Sequence, residues 1–251
     1  MNHILYTSII GTAAGIIGTG LGGAIGFLLN NPSRRFLSAL LNFSAGLMIA
    51  VVCFDLLPEA YEIGGFTAGV TGVVLGVVMI IVCDGILVRW QRRINREKRT
   101  TAPLSQYTKT GILLGIGIAL HNFPEGLAIG SGFSAMESYG LGLSLVIAFH
   151  DVPEGIAMAA PLRIGGVGKV RILLATVAAG VPTGIGALVG YLLGGISPFF
   201  IAICLGFAGG AMLYITCIEL IPSALDLYRG IIPGLGLVTG VIAGMLITSI
   251  I

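Results

Sequence analysis

The chain has 251 residues, of which 56% are apolar, 10% are charged and 40 are glycine, with a formal net charge of +2 and a mean hydropathy of +1.03. Soluble domains carry about 25% charged residues and about 7% glycine, so a water-soluble domain is excluded. The thirteen Lys and Arg fall in the connections between apolar runs and form no basic domain, so no nucleic-acid partner is expected. The apolar stretches are continuous rather than alternating, which selects helices over a β-barrel, the other structure that satisfies every backbone group in hydrocarbon. At about 20 apolar residues per crossing, eight transmembrane spans are predicted: about 4 to 29, 36 to 57, 66 to 88, 110 to 133, 140 to 160, 171 to 194, 198 to 220 and 231 to 250. The first has no basic residue before it and fits a spanning helix better than a cleaved signal peptide. Cys53, Cys83, Cys204 and Cys217 lie inside the runs without CxxC spacing and read as small core residues rather than a disulfide or thiolate site.

The basic residues orient the chain. Arg34 and Arg35 follow the first span; Arg89, Arg92, Arg93, Arg96, Lys98, Arg99 and Lys109 follow the third; Arg163, Lys169 and Arg171 follow the fifth; Arg229 follows the seventh. The even-numbered connections and both termini have none. The positive-inside rule therefore places the odd connections in the cytoplasm and both termini outside, as expected for a multi-pass protein of the inner or plasma membrane. The stretch of about 89–109 is the only sizeable loop and reads as a solvated anchor, with Trp90 at the interface and Asp84 expected to pair with the basic run.

Two internal repeats are visible. At an offset of 164 residues, Thr19, Gly20, Gly22 and Gly26 recur as Thr183, Gly184, Gly186 and Gly190; Phe43, Gly46, Met48, Cys53, Pro58 and Ala60 recur as Phe207, Gly210, Met212, Cys217, Pro222 and Ala224; and Asp55 is answered by Glu219. Spans 1 to 3 thus match spans 6 to 8. Five crossings separate the two units, an odd number, so they enter the membrane from opposite sides. The result is a 3+2+3 arrangement with inverted repeats, a transporter signature. The second repeat, at an offset of 29, lies between those units in spans 4 and 5: His121, Pro124, Glu125 and Gly126 against His150, Pro153, Glu154 and Gly155.

Spans 4 and 5 carry the chemistry. Span 4 holds His121, Asn122 and Glu125; span 5 holds His150, Asp151 and Glu154. On each helix the His and Glu are four residues apart and share a face. Each ionised carboxylate near the bilayer centre costs about 2.5–3.5 kcal/mol uncompensated, and neither span contains Lys or Arg, which leaves protons or a metal ion to supply positive charge. Pro124 and Pro153 free the carbonyls of Leu120 and Phe149, adding acceptors. Imidazoles, carboxylates and an amide make a borderline N/O donor set suited to Zn²⁺, Fe²⁺, Mn²⁺, Co²⁺, Ni²⁺ or Cd²⁺, and the lack of a thiolate argues against Cu⁺. By the predicted topology Asp55 and Glu59 lie toward the outer mouth and Glu219 toward the inner one. They bracket the midplane as candidate relay residues, although Glu59, like Glu62, also reads as a solvated side chain. His3 is given no role.

At HNFPEG in span 4 and HDVPEG in span 5 the sequence resembles the ZIP (Zrt/Irt-like) family of divalent-metal transporters, most closely its compact bacterial members. The likeness runs over the whole chain and includes the LPEA of span 2 and the ELIP of span 7. It implies a binuclear centre, with His121, Glu125, His150 and Glu154 on one ion and Asn122, Glu125, Asp151 and Glu154 on the other, the two Glu bridging. It also implies a homodimer, and an elevator-like movement of spans 1, 4, 5 and 6 against spans 2, 3, 7 and 8. Two features depart from the family pattern. Val181 stands before Pro182 where many members have Glu, removing a bridging carboxylate, and the loop after span 3 lacks a His-rich tract. One firm metal site is expected, with a second that is weak, filled by water or shifted in preference.

The expected function is uptake of zinc, with iron, manganese, cobalt and cadmium as further candidates, by a single eight-helix transporter domain over 1–251. It would work by alternating access and would not be an enzyme. The alternative is an intramembrane metal-dependent hydrolase, in which the same ligands activate a water. Against it stand the absence of HExxH, the lack of a separate general base, and inverted repeats that hydrolysis does not require. A metal sensor or structural membrane module is a third reading.

Overall fold

The computed structural model describes residues 3–28, 32–97 and 106–249. Apart from short turns and connections these residues are helical, and no strand occurs among them. The helices are α1 (His3–Leu28), α2 (Arg34–Val51), α3 (Leu57–Glu97), α4 (Gln106–Ala135), α5 (Glu137–Ile164), α6 (Lys169–Gly194), α7 (Pro198–Ile215), α8 (Ile221–Leu227) and α9 (Ile231–Thr248). One π-helical turn, Val52–Leu56, joins α2 to α3, and another, Thr216–Leu220, joins α7 to α8. Seven stretches among the described residues are long and apolar enough to cross a membrane, and large apolar side chains such as Leu21, Leu145, Phe149 and Val238 face outward. The chain is an all-helical, multi-pass membrane protein.

Glycine sets the packing, because hydrocarbon gives no hydrophobic drive between helices and close backbone approach must supply the contact. α1 turns a face of Gly11, Gly15, Gly18, Gly22 and Gly26 inward. It runs parallel to α5, with Gly18 against Ala148 and Asp151 and Gly26 against Ile156 and Ala159. It runs antiparallel to α6, with Gly11 against Ala187 and Gly23 against Thr176. α4 is antiparallel to α5, where Gly115 meets Met158 and Gly132 meets Gly140, and parallel to α6, where Gly126 meets Thr183 and Gly130 meets Tyr191. Elsewhere α2 lies along α9 through Gly46, Gly236 and Gly240, and α3 lies along α7 through Gly72, Gly76 and Gly210. Met48, Leu56, Ile129, Leu143, Leu205 and Met212 fill the centre, 0–1% exposed.

One of the seven stretches, Arg34–Cys83, is 50 residues long, about 75 Å of helix against a hydrocarbon core of about 30 Å. It breaks at Gly65 (φ 82°, ψ 161°), a conformation essentially reserved for glycine. Leu57 contacts Gly209, Gly64 contacts Pro198 and Ala202, and Val73 contacts Gly210. The chain therefore passes the level of Gly209 and Gly210 twice, once on each side of Gly65.

Both π turns precede a proline. Leu57 N donates to Val52 O and Ile221 N to Thr216 O, each five residues back. Pro58 and Pro222, having no N–H, cannot close the ordinary bonds to Phe54 and Ile218 four residues earlier, and the ladder widens there. The turns stand at equivalent positions of the longer repeat, Val52 answering Thr216.

Three expectations change. The predicted loop of about 89–109 is shorter, since α3 runs on to Glu97 and α4 starts at Gln106; the Arg and Gln that read as loop also favour helix. The loop's centre, the side chain of Trp90 and the expected pairing of Asp84 lie outside the described residues. The predicted connection between spans 2 and 3 contracts to the break at Gly65. Of the four cysteines, Cys204 is a buried core residue, Cys83 is half-buried, and Cys53 and Cys217, one on each π turn, are exposed.

Candidate metal centre

α4 and α5 run through Pro124 and Pro153 as continuous helices, and their antiparallel packing sets the two ligand faces against each other. The contacts cross between the helices. His121 Nε2 of α4 donates to Glu154 Oε2 of α5 at 2.6 Å, and His150 Nε2 of α5 donates to Glu125 Oε1 of α4 at 2.8 Å. Asp151 Oδ1 stands 3.6 Å from His150 Nε2. Ligand atoms of Glu125, His150 and Asp151 lie within 4.8 Å of one another. The six side chains, Asn122 included, are 0–2% exposed.

The cluster is short of positive charge. Glu125, Asp151 and Glu154 bring three negative charges when ionised, and two imidazolium rings offset at most two. Hydrogen bonding is incomplete as well: among the described residues Glu125 Oε2, both Asp151 oxygens, Asn122 Oδ1 and the Nδ1 atoms of His121 and His150 have no hydrogen-bond partner. Buried polar atoms are almost always paired, so a concentration of orphaned acceptors at one place marks where a cation fits. Zinc bound by N and O at about 2.0–2.2 Å spaces its ligand atoms about 3.4 Å apart, which small side-chain rotations reach from the present separations.

Other helices position this set. Asn122 Nδ2 donates to Ala179 O of α6 at 2.8 Å, leaving its carbonyl oxygen free. Ser44 of α2 donates to His150 O at 3.2 Å and lies 3.5 Å from Glu154 Oε1. Sequence reasoning missed Ser44, since this long-range contact leaves no spacing signal.

The remaining candidates lie apart from the cluster. Asp55, half-buried on the first π turn, stands beside Tyr139. Glu59, also half-buried, is one turn further, near the exposed Glu62. Glu219, half-buried on the second π turn, faces Gly117 of α4, whose Cβ position is 3.4 Å from Glu219 Oε2, and is within electrostatic reach of His121. Val181 is 40% exposed; two residues from Ala179 it lies about 200° round α6, away from α4.

Residues 91–251 match the family model for the ZIP Zinc transporter. Among curated proteins, the chain is 30% identical over 138 residues to the Zinc transporter ZupT of Streptococcus mutans serotype c, covering 51% of this chain and 52% of that protein. It is 33% identical over 112 residues to the Zinc transporter ZupT of Salmonella heidelberg, and 32% identical over 112 residues to that of an Enterobacter species, with 44% of each chain covered. The matches span about half the length of these relatives.

Proposed function

Because the chain belongs to the ZIP zinc transporter family, we propose that it carries divalent metal ions, zinc foremost, across the membrane into the cytoplasm. The observation that carries this reading is the crossed pair of His–Glu contacts between α4 and α5, buried in the membrane with orphaned acceptors around it. Glu125, His150 and Asp151 form the core of one firm site, with His121, Glu154 and Asn122 beside it. A second ion is weaker, because no carboxylate from α6 joins the cluster.

The eight-crossing reading is supported by the break at Gly65, which would divide the 50-residue stretch Arg34–Cys83 into two spans. Inverted repeats are supported by the equivalence of the two π turns. They are supported too by the exchange of partners: Phe43 of α2 packs on Gly240 of α9 as Phe207 of α7 packs on Gly76 of α3. The group α1, α4, α5 and α6 contains the ligand helices, while the pairs α2 with α9 and α3 with α7 pack against it mainly through α2 on α5 and α7 on α4. Movement of the first group against the second would open the site to either side in turn.

With the basic connections inside, both termini face outward. Asp55 and Glu59 then receive ions at the outer mouth, and Glu219 releases them at the inner one. A homodimer in lipid is the assembly the family resemblance suggests. Family membership sets the hydrolase reading aside.

Uptake of radioactive zinc into proteoliposomes containing the full chain tests the proposal. Accumulation that is lost in Glu125→Ala and Glu154→Ala supports it. Vesicles that stay empty with the intact chain refute it.

A further inference from the structure

Inward of the metal centre, a cavity of about 10 Å³ is lined by Ile80 and Cys83 of α3, Gly117 and Leu120 of α4, Ile215 of α7 and Glu219. About one water-sized probe fills such a volume, so a single bare ion fits. Gly117 lies one helical turn, about 6 Å, from His121. Cys83, on the cavity wall, donates through Sγ to Met79 Sδ at 3.4 Å, and Met79 lines the larger apolar pocket that shares Leu120 with it. At a metal–sulfur bond of about 2.3 Å, that spacing corresponds to an S–metal–S angle of about 95°, within reach of a distorted four-coordinate site. The walls are firm, since Ile80 and Ile215 are each 2% exposed and pack with Ala211.

The sulfurs break the internal symmetry. Glu219 has its counterpart in Asp55, but the positions answering Met79 and Cys83 are Ala243 and Ile247. Oxygen donors therefore occur at both ends of the path, whereas the Met79–Cys83 pair has no counterpart on α9.

We propose that Cys83, Met79 and Glu219 form a sulfur-containing station for soft or borderline metal ions on the inner side of the main site. Thiolate and thioether ligands favour Cd²⁺ and Zn²⁺ over the hard ion Mn²⁺. The Cys83 thiol loses its proton to the inner aqueous side as the ion binds. The station takes only its direction along the path from the transport reading; its ligand chemistry stands independently, because the main site contains no sulfur.

The test uses the full chain in nanodiscs with Cys53, Cys204 and Cys217 replaced by Ala, and Cd²⁺ as probe. A thiolate-to-cadmium absorption in the ultraviolet is expected. It should be lost in Cys83→Ser and persist in Glu125→Ala. In proteoliposomes, the preference for Cd²⁺ over Mn²⁺ is expected to fall about tenfold in both Cys83→Ser and Met79→Leu, the lower end for loss of ligand support. Absence of the band, or an unchanged preference in both variants, overturns the proposal. A band without uptake of either metal by the intact chain upholds the station and refutes transport.

Discussion

An alanine at Gly22 should pull the ligand helices out of register. Its Cβ would lie 2.2 Å from Val152 O and 2.8 Å from the Cα of Gly155, so α1 and α5 must separate by about 1 Å to restore ordinary contact. Val152 and Gly155 flank Pro153 and Glu154, and the displacement falls on the ligands themselves. Gly186 does the same for the other ligand helix: its Cβ would lie 2.2 Å from Phe123 O and 2.8 Å from Leu127 N, on either side of Glu125. Overpacking of this kind costs about 1–3 kcal/mol. A shift of about 1 Å in one ligand helix is expected to weaken zinc binding about 100-fold, the upper end for lost ligand support. Isothermal titration of zinc into Gly22→Ala and Gly186→Ala in nanodiscs measures the effect. Gly85→Ala is the control, because among the described residues nothing lies within 4 Å of its Cβ position. Zinc binding in both variants as tight as in the control would refute the reasoning.

Zinc should displace protons from the His121–Glu154 and His150–Glu125 pairs, about one to two per ion. The release is read from the apparent binding enthalpy in buffers of unlike ionisation enthalpy. Affinity should fall as the pH falls, since protonated ligands cannot bind metal, and an affinity independent of pH would contradict the ligand assignment. Ser44→Ala removes a hydroxyl worth about 0.5–1.5 kcal/mol, so the zinc Kd should rise about two- to thirteenfold; an unchanged Kd would show that α2 does not position Glu154. Val181→Glu should leave the number of zinc ions per chain unchanged by elemental analysis, because the side chain points away from α4; a gain of one ion would show that α6 turns in the membrane.

The candidate ligands could be read from the sequence because helical geometry is regular: His121 with Glu125, and His150 with Glu154, share a face by spacing alone. That the pairs would cross between helices, rather than close within each one, depends on the offset between α4 and α5, which is set by Gly115 on Met158 and Gly132 on Gly140. Such contacts have no local sequence signal. The π turns did have one, in the prolines of LLPEA and LIPSA. The break at Gly65 did not stand out among 40 glycines. The outward direction of Val181 followed from helix angle alone once Ala179 was placed beside Asn122.

Crystals of the full chain grown with zinc, measured at the zinc absorption edge, would locate the ion by its anomalous scattering. The expected result is a strong peak bonded to Glu125, His150 and Asp151, between α4 and α5. Zinc bound elsewhere, with that position bare, would contradict the assignment of the buried cluster as the transport site.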